Sequence, residues 1–153
     1  MSERHAIRRL GPGEIEMVRG LNALFGAAFE DSATYEAHPP PDGYLAEQLG
    51  KEHVIVLVAS EGATVFGGLV AYELDKLEQA RREVYIYDLA VSSAHRRQGI
   101  ATALIRRLSD IASGRGAWGL FVQADHGDDA AIALYTKLGS REDVLHFDLA
   151  PDN

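Results

Sequence analysis

The sequence predicts a single α/β domain on a mixed sheet, and three observations support this prediction. Strand-like and helix-like segments follow the order β-α-α-β-β-β-α-β-α-β, which is typical of helices packed on a sheet. The 153 residues suffice for one core, because a chain of this length buries about 70 % of its unfolded surface. No internal repeat or low-complexity stretch interrupts the chain. We therefore expect one domain over residues 1–153.

Hydrophobic periodicity sets the bounds of the elements in the first half of the chain. A first strand is expected at 5–10, and Gly11-Pro12 then begins a helix that ends near Phe29, since proline suits the first helical turn. Residues 30–42 are polar, contain the Pro-rich stretch 39–43 and are expected to form a loop. The remaining elements are a short helix at 44–49 and a hairpin of central strands at 53–59 and 64–72.

The second half continues the alternation of strands and helices. Strands are expected at 83–91, 118–124 and, closing the chain, at 146–149. Apolar residues three and four apart predict helices at 99–113 and from Asp128 or Asp129 to Leu138. Either aspartate can cap the last helix, and Gly139 suits the position after its end.

Composition and charge narrow the classes of function. The chain carries 15 Lys and Arg against 23 Asp and Glu, a net charge of −8, which argues against nucleic-acid binding and favours a cationic partner. The absence of cysteine excludes disulfides, thiolate metal sites and a cysteine nucleophile, and it fits a cytoplasmic protein. No apolar run reaches the roughly 18 residues of a membrane span, and the six histidines show no metal-ligand spacing. We expect neither a membrane nor a metal as a partner.

The segment 87–102, YDLAVSSAHRRQGIAT, contains the most informative residues. An apolar strand ends there, and a short loop brings Arg96 and Arg97 together within an acidic chain. Gly99 follows where a helix begins, so a ligand can approach the backbone, and the first amides of that helix are unsatisfied at the positive end of its dipole. This arrangement suits a phosphate group. The alternative is a solvated basic loop, because the stretch is neither a G-x-G-x-x-G fingerprint nor a Walker loop.

Two motifs resemble those of the GNAT superfamily of acyl-CoA-dependent N-acetyltransferases. Residues 96–101, RRQGIA, match the R/Q-x-x-G-x-G/A pattern, and residues 131–139, AIALYTKLG, resemble the later A-x-x-L-Y-x-K-x-G pattern. The order of elements also fits, so the resemblance covers nearly the whole chain. More narrowly, YIYDLAVSSAHRRQGIATALI, FVQADHGDD and ALYTKLGSREDVLHFD are similar to the type I aminoglycoside 3-N-acetyltransferases, a family of gentamicin resistance enzymes.

The resemblance implies a fold and a cofactor. The fold is a mixed, mostly antiparallel central sheet flanked by helices, with a splayed central strand that binds acyl-CoA. The cofactor is acetyl-CoA: the backbones of Leu89 and Val91 would bind the pantetheine arm, and the Leu89 or Ala90 amide region would polarise the thioester carbonyl. The residues assigned to the pyrophosphate site are Arg96, Arg97, Gln98, Gly99, Ile100, Ala101 and Thr102. Relatives are commonly homodimers, so a homodimer is expected.

Tyr135 takes a catalytic role by the same resemblance. It would lie near the sulfur and donate a proton to the departing thiolate, which suits a phenol with a pKa of about 10. A core tyrosine with a satisfied hydroxyl is the alternative, because the position also lies on an apolar helical stripe. Asp128 departs from the motif, which often has Asn there. Either residue caps a helix, but a carboxylate is unfavourable near coenzyme A phosphates unless it faces the acceptor.

Asp88 is the first candidate for the group that deprotonates or anchors the acceptor amine. An amine is mostly protonated at pH 7, so the site must remove a proton directly or through water. Strand alternation places Tyr85, Tyr87 and Leu89 on one face and Asp88 on the other, and a bulge at this point would re-aim the carboxylate. Tyr87 is assigned to the wall of the site. A structural aspartate bonded to backbone amides is the alternative.

Several acidic clusters suit recognition of a polycation, in which carboxylates meet ammonium groups. The alternative for each is a solvated face or a helix cap. The residues assigned to substrate binding, besides Tyr87, are Asp31, Tyr35, Asp125, Asp128, Asp129, Glu142 and Asp143.

The expected function is acetyl transfer from acetyl-CoA to an amine of a cationic aminoglycoside such as gentamicin, at the 3-amino group, giving antibiotic resistance. Direct transfer in a ternary complex is expected, because the chain has no cysteine and no serine nucleophile motif. One alternative is an N-acetyltransferase for polyamines or other small amines. A second is a non-catalytic acyl-CoA-binding sensor domain.

Overall fold

A computed structural model describes residues 6–152, which form two compact units divided between Gln123 and Ala124. The elements of the first unit, in chain order, are β1 (Ala6–Arg9), α1 (Ile15–Ala28), α2 (Ser32–Tyr35), α3 (Asp42–Leu49), β2 (Val54–Glu61), β3 (Thr64–Asp75), β4 (Arg82–Val91), α4 (Ile100–Gly114) and β5 (Ala117–Val122). The second unit contains α5 (Asp129–Leu138). No helix in the described part of the chain is long and apolar enough to cross a membrane.

The sheet of the first unit is mixed and mostly antiparallel, which confirms the predicted fold class. Its strands lie in the order β1-β2-β3-β4-β5. The first four strands pair antiparallel, whereas β5 pairs parallel to β4 after the crossover through α4. The hairpin of β2 and β3 turns at residues 61–64, as its sequence predicts, and β2 is buried from Val54 to Ser60.

Helices cover both faces of the sheet. On one face, the predicted stripe of α4 buries Ile100, Leu104 and Leu108 against the strands, and Ile111 packs at the edge of this core. On the other face, α1 buries Leu21 and Phe25 completely, together with the inner side of α3. Both helices follow the three- and four-residue spacing of their apolar residues.

A buried ion pair ties the end of α4 to the sheet. Arg115, just after α4, donates from Nε to Glu73 Oε2 at 2.6 Å and from Nη2 to Glu73 Oε1 at 2.9 Å. The Glu73 side chain on β3 is 3 % exposed, and Arg82 Nη1 lies 3.6 Å from it. The hydrogen bond from Arg115, strengthened by the nearby guanidinium charges, lowers the pKa of Glu73 despite its burial.

We expect Glu73→Gln to lower the free energy of unfolding by about 2 kcal/mol at pH 7, because it removes one charge of a buried pair. Glu73 has a lowered pKa when folded, so its stabilisation is complete above the unfolded pKa of about 4.3 and is lost as the pH falls through the folded value. Urea denaturation between pH 3 and 7 should show the difference between variant and wild type shrinking in acid. Asp75→Asn is the control: Asp75 pairs with the same Arg82 but is 83 % exposed, so its loss should cost below about 0.5 kcal/mol.

Two sequence predictions about secondary structure are wrong. The predicted loop 30–42 contains the four-residue helix α2, whose start is capped by Asp31 Oδ1 accepting from Thr34 N at 3.2 Å. The predicted strand at 146–149 does not form: residues 140–152 have no regular secondary structure, and no strand of the described chain pairs with them. The beginning of the first predicted strand, at His5, lies outside the described residues.

Candidate active site

The pairing of β4 with β5 stops halfway along β4. The parallel register ends where Ile86 pairs with Val122, so within residues 6–152 the segment 87–91 pairs with β3 but not with β5. This is the splayed central strand that the resemblance implied. The backbone of Leu89, Ala90 and Val91 therefore faces an open edge, which an extended ligand with amide groups can fill as an added strand.

A β-bulge in β4 re-aims Asp88, as the sequence hypothesis required. Val70 on β3 pairs with Asp88 and Ala71 with Ile86, so Tyr87 is the extra residue. Before the bulge, Ile86 faces the α4 core, and after it Leu89 does, so the side-chain alternation changes phase at Tyr87. Asp88 consequently turns to the face covered by α1 and α2.

Tyr35 holds the Asp88 carboxylate. The Tyr35 hydroxyl donates to Asp88 Oδ1 at 2.6 Å. Tyr35 is itself fixed by two rings at the end of α1, with centroid distances of 5.7 Å to Phe25 in the helix and 5.6 Å to Phe29, which follows it. Burial raises the pKa of Asp88, while the hydrogen bond from Tyr35 lowers it in part. Burial and the bond to Asp88 raise the pKa of Tyr35, so the phenol stays a donor.

Aromatic rings form a wall beside this carboxylate. Tyr85 stacks on Phe121 at 4.5 Å, Tyr87 lies 5.4 Å from Tyr85, and Tyr72 meets Tyr87 edge-on at 6.0 Å. Tyr87 is 62 % exposed, so the wall is open to solvent. Burial raises the pKa of Tyr72, and the negative charge of Asp88 raises it further. Tyr72 is therefore close enough to Asp88 to feel its charge. A carboxylate beside exposed rings suits a cationic, ring-shaped ligand.

Sequence reasoning assigned Tyr87 to this wall but missed Tyr72, Tyr85 and Phe121. Tyr72 pairs with Tyr85 across β3 and β4, and Tyr85 pairs with Phe121 across β4 and β5. The available signal was the alternation of Tyr85 and Tyr87 in one strand next to an acidic residue. The cross-strand partners depend on register, which that alternation does not specify.

The loop before α4 has the geometry of an anion site. Its backbone is left-handed at Arg97, with φ 64°, and at Gly99, with φ 76°. Ala103 N donates to Gly99 O at 3.0 Å as the first helical bond, and among the described residues no side chain caps the amides of Ile100, Ala101 and Thr102. Arg96, Arg97, Gln98 and Gly99 are exposed. The open edge of β4 and these amides fit the pantetheine arm and the pyrophosphate of coenzyme A.

We expect Gly99→Ala to raise the KM for acetyl-CoA at least about 10-fold, because a Cβ there points into open space where the phosphates would approach the backbone. The left-handed φ adds a stability cost of about 1 kcal/mol. Gly116→Ala is the matched control: its φ is 77°, nothing lies within 4 Å of its Cβ, and it follows the far end of α4. Steady-state kinetics and thermal denaturation of both variants separate the two effects. Equal KM values for the two variants would contradict this cofactor site.

The second unit contains Tyr135 and most of the predicted acidic residues. Tyr135 lies in the second turn of α5, and burial, with the charge of Asp128, raises its pKa to about 12. Asp128 Oδ1 accepts from Ala131 N at 3.3 Å, so Asp128 caps α5, one of the two roles considered for it. Asp143 accepts from Arg141 Nε at 2.9 Å. Asp125, Asp129 and Glu142 are exposed.

The structure therefore brings together part of the predicted site. Tyr35, Tyr87 and Asp88 meet at the bulge of β4, and the residues predicted to bind the cofactor lie along its open edge and in the loop before α4. Asp31 is close to Tyr35 in the sequence, but its carboxylate caps the start of α2. Within the described chain, no group of three or more His, Asp or Glu side chains is placed to hold a metal ion.

Comparison with known proteins agrees with this geometry. The model of the acetyltransferase (GNAT) family matches residues 21–140. Aminoglycoside acetyltransferase HMB0005 from an uncultured soil metagenomic sample is 49 % identical in sequence to this chain. The two structures superpose with a TM-score of 0.94 over 99 % of this chain and 100 % of that chain. A second soil metagenomic aminoglycoside acetyltransferase, meta-AAC0020, in complex with sisomicin, is 31 % identical over 97 % of both chains, with a TM-score of 0.88.

Among curated proteins, N-acetyltransferase 8B of Rattus norvegicus is 31 % identical over 90 residues, which are 59 % of this chain and 40 % of that protein. The match thus spans about two fifths of the relative's length. The family model covers most of the described residues, from α1 through the loop before α4 to the end of α5. The splayed strand, the bulge and the loop before α4 lie inside that match, and the chain belongs to the acetyltransferase (GNAT) family.

Proposed function

We propose that this protein is an aminoglycoside 3-N-acetyltransferase that transfers the acetyl group of acetyl-CoA directly to an amine of a gentamicin-like antibiotic. The observation that carries the proposal is the Asp88 carboxylate, half-buried beside the splay of β4, bonded to Tyr35 and flanked by tyrosine rings. The likeness to two aminoglycoside acetyltransferases, one in complex with sisomicin, supports this choice of substrate over polyamines.

Acetyl-CoA, when bound, supplies an acetyl thioester that an amine can attack. The chain holds it along the open edge of β4 through the backbones of Leu89 and Val91, and at the amides that begin α4. The amide region of Leu89 and Ala90 stabilises the charge that develops on the attacked carbonyl oxygen. These backbone groups bind and orient acetyl-CoA and polarise its thioester carbonyl. They exchange no proton with the acceptor amine.

Asp88 acts on the acceptor amine. Its Oδ atoms bind the ammonium form and take one proton from it, directly or through water, which leaves the neutral amine as the nucleophile. The raised pKa of Asp88 brings its basicity closer to neutral pH than that of an exposed aspartate. Tyr35 keeps one oxygen engaged and therefore fixes the direction in which the carboxylate faces.

Tyr135 serves as the acid that protonates the departing thiolate. With a pKa of about 12 it stays protonated at neutral pH, so a proton is always present at its Oη. The acidic surplus of the second unit suits a polycation: residues 124–153 hold seven of the 23 carboxylates and only two of the 15 Lys and Arg. Asp125, Asp129 and Glu142 are the exposed carboxylates that we assign to aminoglycoside binding.

Expression in a susceptible bacterium tests the biological role. The gentamicin inhibitory concentration should rise at least about 8-fold over a strain that expresses Asp88→Asn at equal protein level, a factor within the loss expected for a missing base. An unchanged inhibitory concentration would contradict the resistance role.

We further propose a cytoplasmic location, where acetyl-CoA is made, and a homodimer in which residues 1–153 serve as one acetyltransferase domain.

A further inference from the structure

The turn that follows β4 is held on β3 by His95. Residues Ser93–His95 form a single 3₁₀ turn, in which His95 N donates to Ser92 O at 2.9 Å. The His95 ring stacks on the ring of Phe66 in β3, with the centroids 3.9 Å apart and the ring planes at 25°. Its Nδ1 atom is hydrogen-bonded to Ser92 Oγ at 2.7 Å. The backbone, the ring face and a ring nitrogen of His95 therefore all fix this turn.

The other end of the loop is also held on β3. Phe66 and Ile100, the first residue of α4, belong to one buried core and are 9 % and 4 % exposed. A Cβ added at Gly67, the neighbour of Phe66, would lie 3.2 Å from Ile100 Cγ2, so Ile100 packs directly on this part of β3. The segment 96–99 is thus bounded by two anchors, His95 and Ile100, that pack on adjacent residues of one strand.

Residues 96–99 adopt a backbone conformation that they would not favour by themselves. All four are exposed, so packing in the core does not shape them. Arg97 has a φ of 64°, a left-handed value that residues other than glycine seldom adopt, and such a conformation persists only where the surrounding structure imposes it. The two anchors supply that constraint at either end of the segment.

We propose that His95 is a positioning residue for the pyrophosphate of coenzyme A: its contacts with Phe66 and Ser92 keep residues 96–99 in the shape that receives the anion before the cofactor arrives. A loop that is ordered in advance loses less conformational entropy on binding, so the affinity rises without any contact between His95 and the ligand. The inference rests on the proposed cofactor site and goes beyond it, because the motif of residues 96–101 does not include His95.

Coenzyme A binding to His95→Ala tests this role. Calorimetric titration should show a Kd for coenzyme A about 10-fold above the wild-type value, as expected when a freed backbone residue must be ordered again on binding. His53→Ala is the matched control, because His53 is exposed just before β2, at the end of that strand that pairs with Tyr72 rather than with Gly67. The control should bind coenzyme A as wild type does. An unchanged Kd in His95→Ala would overturn the proposal.

A shortened acetyl donor separates positioning from a general structural role. S-acetylpantetheine carries the thioester arm but no pyrophosphate. In acetyl transfer to gentamicin, His95→Ala should lower kcat/KM for acetyl-CoA about 10-fold and leave kcat/KM for S-acetylpantetheine within about a factor of two of wild type. Equal losses with both donors would mean that His95 only stabilises the fold, and would overturn the proposal.

Trypsin reports on the loop in the absence of any ligand. Arg96 and Arg97 are exposed cleavage sites, and cleavage requires the loop to open locally. In the cofactor-free protein, cleavage after these residues should be at least about 5-fold faster in His95→Ala than in wild type or His53→Ala, because its rate follows the population of the open form. Equal rates in all three proteins would contradict the anchoring role of His95.

Two milder variants keep the proposal testable if His95→Ala does not fold. His95→Phe keeps a ring on Phe66 but loses the hydrogen bond with Ser92, so its Kd for coenzyme A should be about 3-fold above wild type, on the scale of one hydrogen bond. Ser92→Ala removes the same hydrogen bond, so Ser92→Ala/His95→Phe should bind no more weakly than His95→Phe alone. Additive losses, or wild-type affinity in all three proteins, would overturn the proposal.

These outcomes distinguish the role of His95 from the proposed function. A wild-type protein that binds coenzyme A but transfers no acetyl group to gentamicin would contradict the proposed function, while the titrations and the trypsin digests still decide the role of His95. A wild-type protein without affinity for coenzyme A would overturn both.

Discussion

Asp88→Asn should lower kcat/KM for the aminoglycoside by a factor of about 10² to 10⁴, the usual contribution of a positioned general base. Asparagine keeps the size of the side chain and can still accept the hydrogen bond from Tyr35, which is 2.6 Å long in the wild type. It cannot take a proton or neutralise an ammonium group. The KM for acetyl-CoA should stay within about a factor of two, because the proposed cofactor contacts belong to the β4 backbone and the loop before α4.

The pH dependence of this variant follows from the raised pKa of Asp88. Catalysis needs the ionised carboxylate, so wild-type kcat/KM should fall as the pH drops through that pKa, and the variant should lack this acidic limb. The raised pKa of Asp88 has the opposite consequence for stability, because the ionised carboxylate that catalysis needs is unfavourable for folding. An acid whose folded pKa is raised destabilises the folded state above that pKa, so the asparagine variant should melt at the same temperature or higher at pH 7.

Asp110→Asn is the control for Asp88→Asn. Asp110 lies on the exposed side of α4 and carries the same charge. Its replacement should leave kcat/KM unchanged at moderate ionic strength, since a distant exposed charge is screened. Wild-type kinetics in Asp88→Asn would reduce Asp88 to a structural residue of the bulge.

Tyr135→Phe should lower kcat by about 10²-fold with little change in the KM for acetyl-CoA, because the ring remains and only the proton donor is lost. With a pKa of about 12, Tyr135 stays protonated until strongly alkaline pH, so wild-type kcat should show no alkaline limb below about pH 11 from this group. Spectrophotometric detection of free thiol measures both effects.

Tyr44→Phe is the matched control for Tyr135→Phe. Tyr44 lies on α3, is 54 % exposed and loses the same hydroxyl. Its kcat should equal the wild-type value. An unchanged kcat in Tyr135→Phe would leave Tyr135 as a residue of the apolar stripe of α5, the alternative considered from the sequence.

Much of the fold is predictable from local patterns. The spacing of Leu104 and Leu108 predicts α4 and its buried face, and the apolar stretch 53–59 predicts a buried strand. These features depend on residues close in sequence, where periodicity and geometry determine the outcome. The bulge at Tyr87 was expected from the family resemblance, whose splayed strand implies it, whereas strand alternation alone would point Asp88 away from the aromatic residues.

Features that depend on distant partners were not predictable in the same way. The segment 146–149 has the alternation of a strand, but a strand forms only where another strand pairs with it. Helix α2 is four residues long, too short for a period to be visible, and its cap at Asp31 defines it. The aromatic wall was missed because it also depends on distant partners: Tyr72 and Phe121 join it through the registers of three strands.

The role of Tyr35 shows how tertiary contacts change the meaning of a residue. From the sequence it was assigned to acceptor binding in a loop. The structure makes it the hydrogen-bond donor to Asp88, 53 residues away, because Phe25 of α1 and Phe29 just after this helix position its ring.

Acetyl transfer by the purified protein is the most direct test of the central claim. Incubation with acetyl-CoA and gentamicin should release free thiol in step with a singly acetylated antibiotic, and NMR should place the acetyl group on the 3-amine of the 2-deoxystreptamine ring. Spermidine, offered at the same concentration, should react at least about 10-fold more slowly if the aromatic wall favours a ring-shaped cation, a difference of about 1.4 kcal/mol. Absence of thiol release across gentamicin, sisomicin and spermidine would contradict the account.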